Sequence, residues 1–226
     1  MFVLELGMKG QFPDKFIEAQ KLRDNGQIEE AVALYWQVRD EAKDQDKHFA
    51  AESLHMIGMA YYQAKRYPEA KDALVEAKVE FGQTGNEEFV GFVLRDLGVN
   101  SRKWGRLEEA TQFLRESVET LQKVGNKGHE GISRVKLGRV FADKGNFERA
   151  FRIIEEGITL LGKSDEKFFY SSAYLDKAKI LIQKGDKEQA MEAVRKSLEI
   201  LDSFSGEGEF LERRKDIGLL LGENAE

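Results

Sequence analysis

LRDLGVNSRKWGRLEEATQFL, residues Leu94 to Leu114, returns 40 positions later as RVKLGRVFADKGNFERAFRII, Arg134 to Ile154. In register, Leu97 meets Leu137, Gly98 meets Gly138 and Gly105 meets Gly145. Leu107 meets Phe147, Ala110 meets Ala150 and Leu114 meets Ile154. One supersecondary unit is written twice, and a fixed internal period decides the architecture before any local propensity does.

The period extends in both directions. Ala31, Ala70, Ala110, Ala150 and Ala190 are spaced by 39, 40, 40 and 40 residues. Five positions before each lies Gly26, Lys65, Gly105, Gly145 or Gly185, and twelve before the last four lies Gly58, Gly98, Gly138 or Ala178. Leu54, Ile57, Gly58 and Tyr61 fall on one helical face, with the small residue leaving room for a second helix. A glycine turn follows, broken only by Lys65-Arg66 in the second unit. The second helix buries its alanine and the large residue four positions on. Each unit is therefore predicted to be a helical hairpin whose apolar side is covered by its neighbours.

Composition agrees with helices of one buried stripe and one solvated face. Charged residues make up 34% of the 226-residue chain, and only two prolines interrupt it. Lys and Arg number 35 against 41 Asp and Glu, a net charge of -6, which argues against nucleic acid or anionic membrane as a general partner. The chain has no cysteine, so no disulfide or thiolate metal site is available. The opening MFVLELGMKG carries Glu5 within its apolar run and lacks a basic leader, and no stretch has the length of a membrane span. The expectation is a cytoplasmic protein without membrane association.

The small residue in the first helix, the turn and the small residue in the second resemble the tetratricopeptide repeat, over about residues 12–203. The usual unit has 34 residues and this one 40, and the extra six would add roughly 9 Å of helix if all were helical. Glycine-bearing linkers are expected between hairpins, FGQTGNEE at 81–88, VGNKGHEG at 124–131 and LGKSDEK at 161–167. Family members with units near this length include kinesin light chains, spindle-orientation adaptors and peptide-pheromone receptors of the Rap type. The last carry an N-terminal effector module for which no room is expected before Phe12.

The resemblance implies an all-α fold, a right-handed superhelix (α-solenoid) of five helical hairpins at about 12–45, 51–84, 91–125, 131–163 and 171–203. All would form one domain over 1–226, with a capping helix at about 209–221. The apolar Phe2, Val3 and Leu4 and the Leu219–Leu221 end are candidates for homodimer formation.

Several patterns suggest chemistry and fail on context. Gly157 to Ser164, GITLLGKS, fits the phosphate-loop spacing GxxxxGK[ST], but it closes a second helix and follows no strand. Gly157 stands at the close-approach position of Ala77 and Ser117, and Gly162 matches Gly82 as a helix terminator. GNKGHEG at 125–131 reads as linker, and His48, His55 and His129 are too scattered for a metal site or triad. Glu29-Glu30, Glu108-Glu109 and Glu155-Glu156 read as solvated helix faces rather than acid–base pairs. Trp36 and Trp104 read as packing residues, with Trp104 also a candidate contact because Ala64, Lys144 and Lys184 stand at its place in the other units.

In the family, the first helices of successive hairpins line a concave face that binds peptide. Counting from Ala51, Gly91, Gly131 and Ser171, the matching positions carry His55, Met59, Tyr62, Arg95, Val99, Arg102, Arg139 and Lys179. Arginine and lysine there would hold acidic groups, and Met59, Tyr62 and Val99 would give apolar contact. The Lys/Asn clamp of chaperone-tail binders is not reproduced in any three consecutive units. The resemblance thus implies a noncatalytic protein- or peptide-binding scaffold, with a protein or extended acidic peptide as partner and no cofactor or metal. The alternatives are a peptide-sensing regulator and a self-assembling structural protein.

Overall fold

The computed structural model describes residues 12–203 as ten α-helices with no strand among them. They fall into two compact units, one ending at Arg106 and the other starting at Leu107, where a single domain is the expectation from sequence. The first unit holds α1 (Phe12–Asp24), α2 (Ile28–Ala42), α3 (Lys47–Gln63), α4 (Tyr67–Gln83) and α5 (Glu87–Lys103). The second holds α6 (Leu107–Lys123), α7 (Lys127–Asp143), α8 (Phe147–Leu161), α9 (Lys167–Lys184) and α10 (Lys187–Asp202). The expected capping helix at 209–221 and the apolar terminal segments lie outside the described residues.

Two of the three expected interhairpin linkers are largely replaced by helix, whereas the third stands, with 162–166 separating α8 from α9. Only residues 84–86 separate α4 from α5, and only 124–126 separate α6 from α7. Gly85 (φ 71°) and Gly125 (φ 78°) turn the chain in the same left-handed conformation as Gly105 (φ 83°) and Gly145 (φ 78°). Turns between hairpins and turns within them are thus one device, repeated every 20 residues from Gly85 to Gly145. That leaves 17-residue helices, and the first helix of each hairpin begins at Lys47, Glu87, Lys127 or Lys167, before the Ala51, Gly91, Gly131 and Ser171 taken as first positions. Gly82, expected to end α4, lies inside it, while Gly162 does stand at the end of α8. Asx side chains start several helices: Asp46, Asn86, Asn126, Asn146 and Asp186 each accept a hydrogen bond from the backbone N–H three residues on.

Within a hairpin the packing is small against large. A β-carbon on Gly58 of α3 would sit 2.6 Å from Leu74 Cγ of α4, and one on Gly138 would overlap Ile154 of α8. Leu74 and Ile154 are fully buried, and burying such a side chain contributes about 1.5–3 kcal/mol. The first unit's core adds Phe16, in edge contact with Tyr35 at 5.3 Å and tilted on Phe49 at 5.0 Å. The second unit's core runs through Leu114, Val135, Val140, Ile154, Leu161 and Ile180.

Two glycines give opposite expectations for alanine. A β-carbon at Gly157 would lie 2.7 Å from Gly131 O, a backbone atom that cannot swing aside, whereas Gly82 has nothing within 4 Å. Gly157→Ala is therefore expected to destabilise the chain by about 1–3 kcal/mol. Gly82→Ala is expected to stabilise it by about 0.5–1 kcal/mol through helix propensity. Urea denaturation of both variants measures the pair, and equal signs would refute the packing.

Candidate functional site

His55, Met59 and Tyr62 follow one another at i, i+4 and i+7 on α3, and Arg95, Val99 and Arg102 do the same on α5. That spacing makes each triplet a single stripe. The two helices are tied together where His55 Nε2 meets Asp96 Oδ2 at 2.8 Å. Arg95 Nε donates to the other oxygen of Asp96 at 3.2 Å, and the Arg95 guanidinium lies 5.5 Å over the Phe92 ring. The side chains of Arg95 and Asp96 are only 15% and 14% exposed. Burial of Asp96 works against its charge, but Arg95 and the His55 hydrogen bond outweigh it and hold its pKa at about 2. Met59, Tyr62, Val99 and Arg102 are half-buried beside this pair. Burial raises the Tyr62 phenol pKa, opposed by the charge of Arg102.

The second unit repeats the arrangement with different cations. Asp176 of α9 accepts from Lys136 Nζ of α7 at 2.9 Å and lies 3.9 Å from Arg139 Nη1. Burial again opposes its charge, and Lys136, Arg139 and Lys179 together lower its pKa. Lys179 itself is exposed. The structure thus brings His55, Met59, Tyr62, Arg95, Val99 and Arg102 together in one unit, and Arg139 with Lys179 in the other.

Helical spacing alone does not single out Asp96 or Asp176. They occupy one repeat position, 80 residues apart, next to the positions taken as groove-facing. Their signal is an aspartate at the same repeat position of two units, one residue beyond the stripe positions. The consequence is chemical: His55, Arg95, Lys136 and Arg139 already have an internal carboxylate, so an acidic ligand would compete with it.

Gly157 is buried in α8 against Gly131, as its close-approach position requires. His48 lies between Phe81 and Phe89, at 5.3 and 4.7 Å between ring centres. Glu108 pairs with Lys144 at 3.4 Å, Glu155 with Lys177 at 2.6 Å and Glu156 with Arg134 at 2.8 Å. Trp104 is half-buried under the Arg106 guanidinium, 3.3 Å from the ring centre, and Trp36 has Arg39 at 5.7 Å. Among the described residues no cluster of three metal-ligating side chains occurs, and no helix is long and apolar enough to cross a membrane.

Two repeat profiles of the tetratricopeptide repeat match the chain, one at residues 50–78 over α3 and α4, the other at 171–200 over α9 and α10. No curated protein sequence matches it. Among solved structures, BtubC (BKLC) from P. vanneervenii is similar at 17% identity and TM-score 0.71, covering 86% of this chain and 81% of its own. A Podosopora anserina kinesin light chain protein of nearly identical TPR-like repeats is 20% identical with TM-score 0.66, covering 85% and 95%. Aspartyl phosphate phosphatase F of Bacillus subtilis is 12% identical with TM-score 0.71, and the 87% of this chain that aligns spans about half of it, 51%. At these identities the likeness is one of fold.

The Asp96 geometry carries a pH expectation. A carboxyl whose folded pKa lies below its unfolded value stabilises the fold above the unfolded value and loses that stabilisation as pH falls toward the folded one. From the ordinary 3.8 to about 2, the contribution is on the order of 2 kcal/mol and disappears between about pH 4 and pH 2. Asp96→Asn is expected to lower stability at neutral pH and to flatten the acid limb of a stability–pH curve. A variant whose acid limb is as steep as the parent's would refute the assignment.

Proposed function

The chain carries tetratricopeptide repeats, and from that premise we propose that it is a noncatalytic scaffold that binds a protein or an extended peptide along the stripes of its first helices. The observation that carries the reading is the half-exposed mixture on α3 and α5. Met59 and Tyr62 on α3 and Val99 on α5 offer apolar contact, and Arg102 on α5 a guanidinium, each pair at helical spacing. Lys179 gives the second unit an exposed cation of the same kind. In the first unit a partner segment would bury the apolar side chains and lay a carboxylate toward Arg102, and in the second unit Lys179 would meet a carboxylate of its own. The cations held by Asp96 and Asp176 set the helix spacing and contribute less to affinity, because their charge is already matched.

The test avoids those internal pairs. A partner captured from the native host and identified by mass spectrometry is titrated calorimetrically against the parent and against Met59→Glu. The half-buried Met59 side chain makes no hydrogen bond to Asp96 or Asp176, so the fold is expected to hold. Affinity is expected to fall about tenfold or more, with the melting temperature kept. Equal affinity would reject the stripe as the binding surface.

A further inference from the structure

Local rules of stability are broken repeatedly at one edge of the first unit, and each time toward positive charge. Lys65 adopts φ 60° where Gly26, Gly105, Gly145 and Gly185 stand in the sibling turns. A β-carbon in that conformation is unfavourable, so lysine is a costly choice there. The next residue, Arg66, is the N-cap of α4 and makes no capping hydrogen bond. At the same place in later turns, Asn146 and Asp186 accept from the N–H groups of Arg149 and Gln189 at 3.1 and 3.3 Å. Arg106 precedes α6 in the same way, and arginine has no acceptor atom with which to cap. A cation at a helix start also opposes the helix dipole. Departures of this kind mark functional sites more often than defects.

The charge pattern agrees. YYQAKR at 61–66 and SRKWGR at 101–106 hold five cations and no carboxylate. LRDNGQ at 22–27, FADKGN at 141–146 and LIQKGD at 181–186 each balance one cation with one aspartate. The two basic turns are neighbours, because Asn100 near the end of α5 donates to Tyr67 O at the start of α4 at 2.9 Å. Each has a guanidinium over an aromatic ring, Arg66 at 4.4 Å over Tyr61 and Arg106 at 3.3 Å over Trp104. Arg66 also pairs with Glu29 and Glu69, at 2.5 and 2.9 Å. Lys65, Lys103 and Arg106 are exposed, and no ion pair reaches Lys65 or Arg106 among the described residues.

We propose that this edge, built by Lys65, Arg66, Lys103, Trp104 and Arg106, is a second docking surface, separate from the helical stripes, for a glutamate- or aspartate-rich segment of a partner protein. The Arg106 guanidinium, stacked on Trp104 and exposed, is held in plane and presents its N–H fork outward, the geometry that grips a carboxylate with two hydrogen bonds, while Arg66, shared with Glu29 and Glu69, adds to the positive field. The occupant is a short carboxylate segment rather than a polynucleotide, because the aromatic surface beside the cations is already partly occupied by arginine. One face of Trp104 is already covered by Arg106, which removes half of the platform that base stacking would use.

The experiment titrates the full chain against a fluorescein-labelled octaglutamate peptide, with labelled octauridine as the contrast, by anisotropy at low and physiological ionic strength. The decisive variant is Lys65→Gly/Arg66→Asp/Arg106→Asn, which gives each turn the residue its siblings use. Restored glycine and caps are expected to raise the melting temperature by about 4 °C or more, while octaglutamate affinity falls about tenfold or more. Gain of stability with loss of binding is a combination that simple misfolding cannot give. Lys163→Glu, which removes an exposed cation outside both surfaces, is expected to bind octaglutamate as the parent does, and the captured partner reads the stripes alone, so the stripe reading and this one can fail separately. Unchanged octaglutamate affinity in the triple variant, octauridine binding tighter than octaglutamate, or no measurable octaglutamate binding by the parent would overturn the proposal.

Discussion

Two helices of a hairpin can close only where one surrenders the volume of a side chain to the other. Gly58 gives way to Leu74, and Gly138 to Ile154. Gly131 and Gly157 approach so nearly that neither tolerates a β-carbon without moving the other's backbone. Everything else in the fold follows from keeping these contacts opposite one another. A fixed helix length between them is required, and so is a turn that always reverses the chain at the same phase. The left-handed glycines every 20 residues from Gly85 to Gly145 supply that phase. A missing or extra residue in any helix would rotate a glycine away from its partner by about 100°.

This constraint explains both what the sequence revealed and where it misled. Glycine and alanine at close contacts have no substitutes, so they recur in register and the hairpins could be read from them. The turn between hairpins uses the same residue types as the turn within them, and residues such as Gly82 and Gly128 lie nearby without turning the chain. Glycine-rich stretches at 81–88 and 124–131 therefore looked like linkers, when only 84–86 and 124–126 leave the helix. Composition could not separate a glycine at φ 71° from one inside α4, because that difference lies in backbone geometry rather than residue type.

The candidate site was legible to a lesser degree for a related reason. Helical spacing placed His55, Met59 and Tyr62 on one stripe of α3 and Arg95, Val99 and Arg102 on one of α5. It could not tell which of their charges face solvent and which face the neighbouring helix. Asp96 and Asp176 lie one position beyond the stripe, and a shift of one residue turns a helical side chain by about 100°. That turn aims each carboxylate at the previous first helix, where His55 or Lys136 meets it. Pairing between adjacent first helices depends on the distance between repeats, which only the folded chain fixes.

The buried carboxylates change what recognition by the stripes must cost. An incoming acidic group cannot simply neutralise Arg95 or Arg139, because each already shares a carboxylate that burial has stripped of water. Displacing Asp96 would leave a buried charge without its partners, a penalty larger than the gain from one new surface pair. In the proposed binding mode, cations of that kind would order the stripes and deter basic partners, setting register more than affinity. In that mode the energy of binding would come mainly from apolar side chains that lose water, Met59, Tyr62 and Val99. A partner suited to these stripes would present spaced apolar side chains with few carboxylates between them, whereas a run of carboxylates is better matched by the arginine- and lysine-bearing turns, where charge is held near solvent.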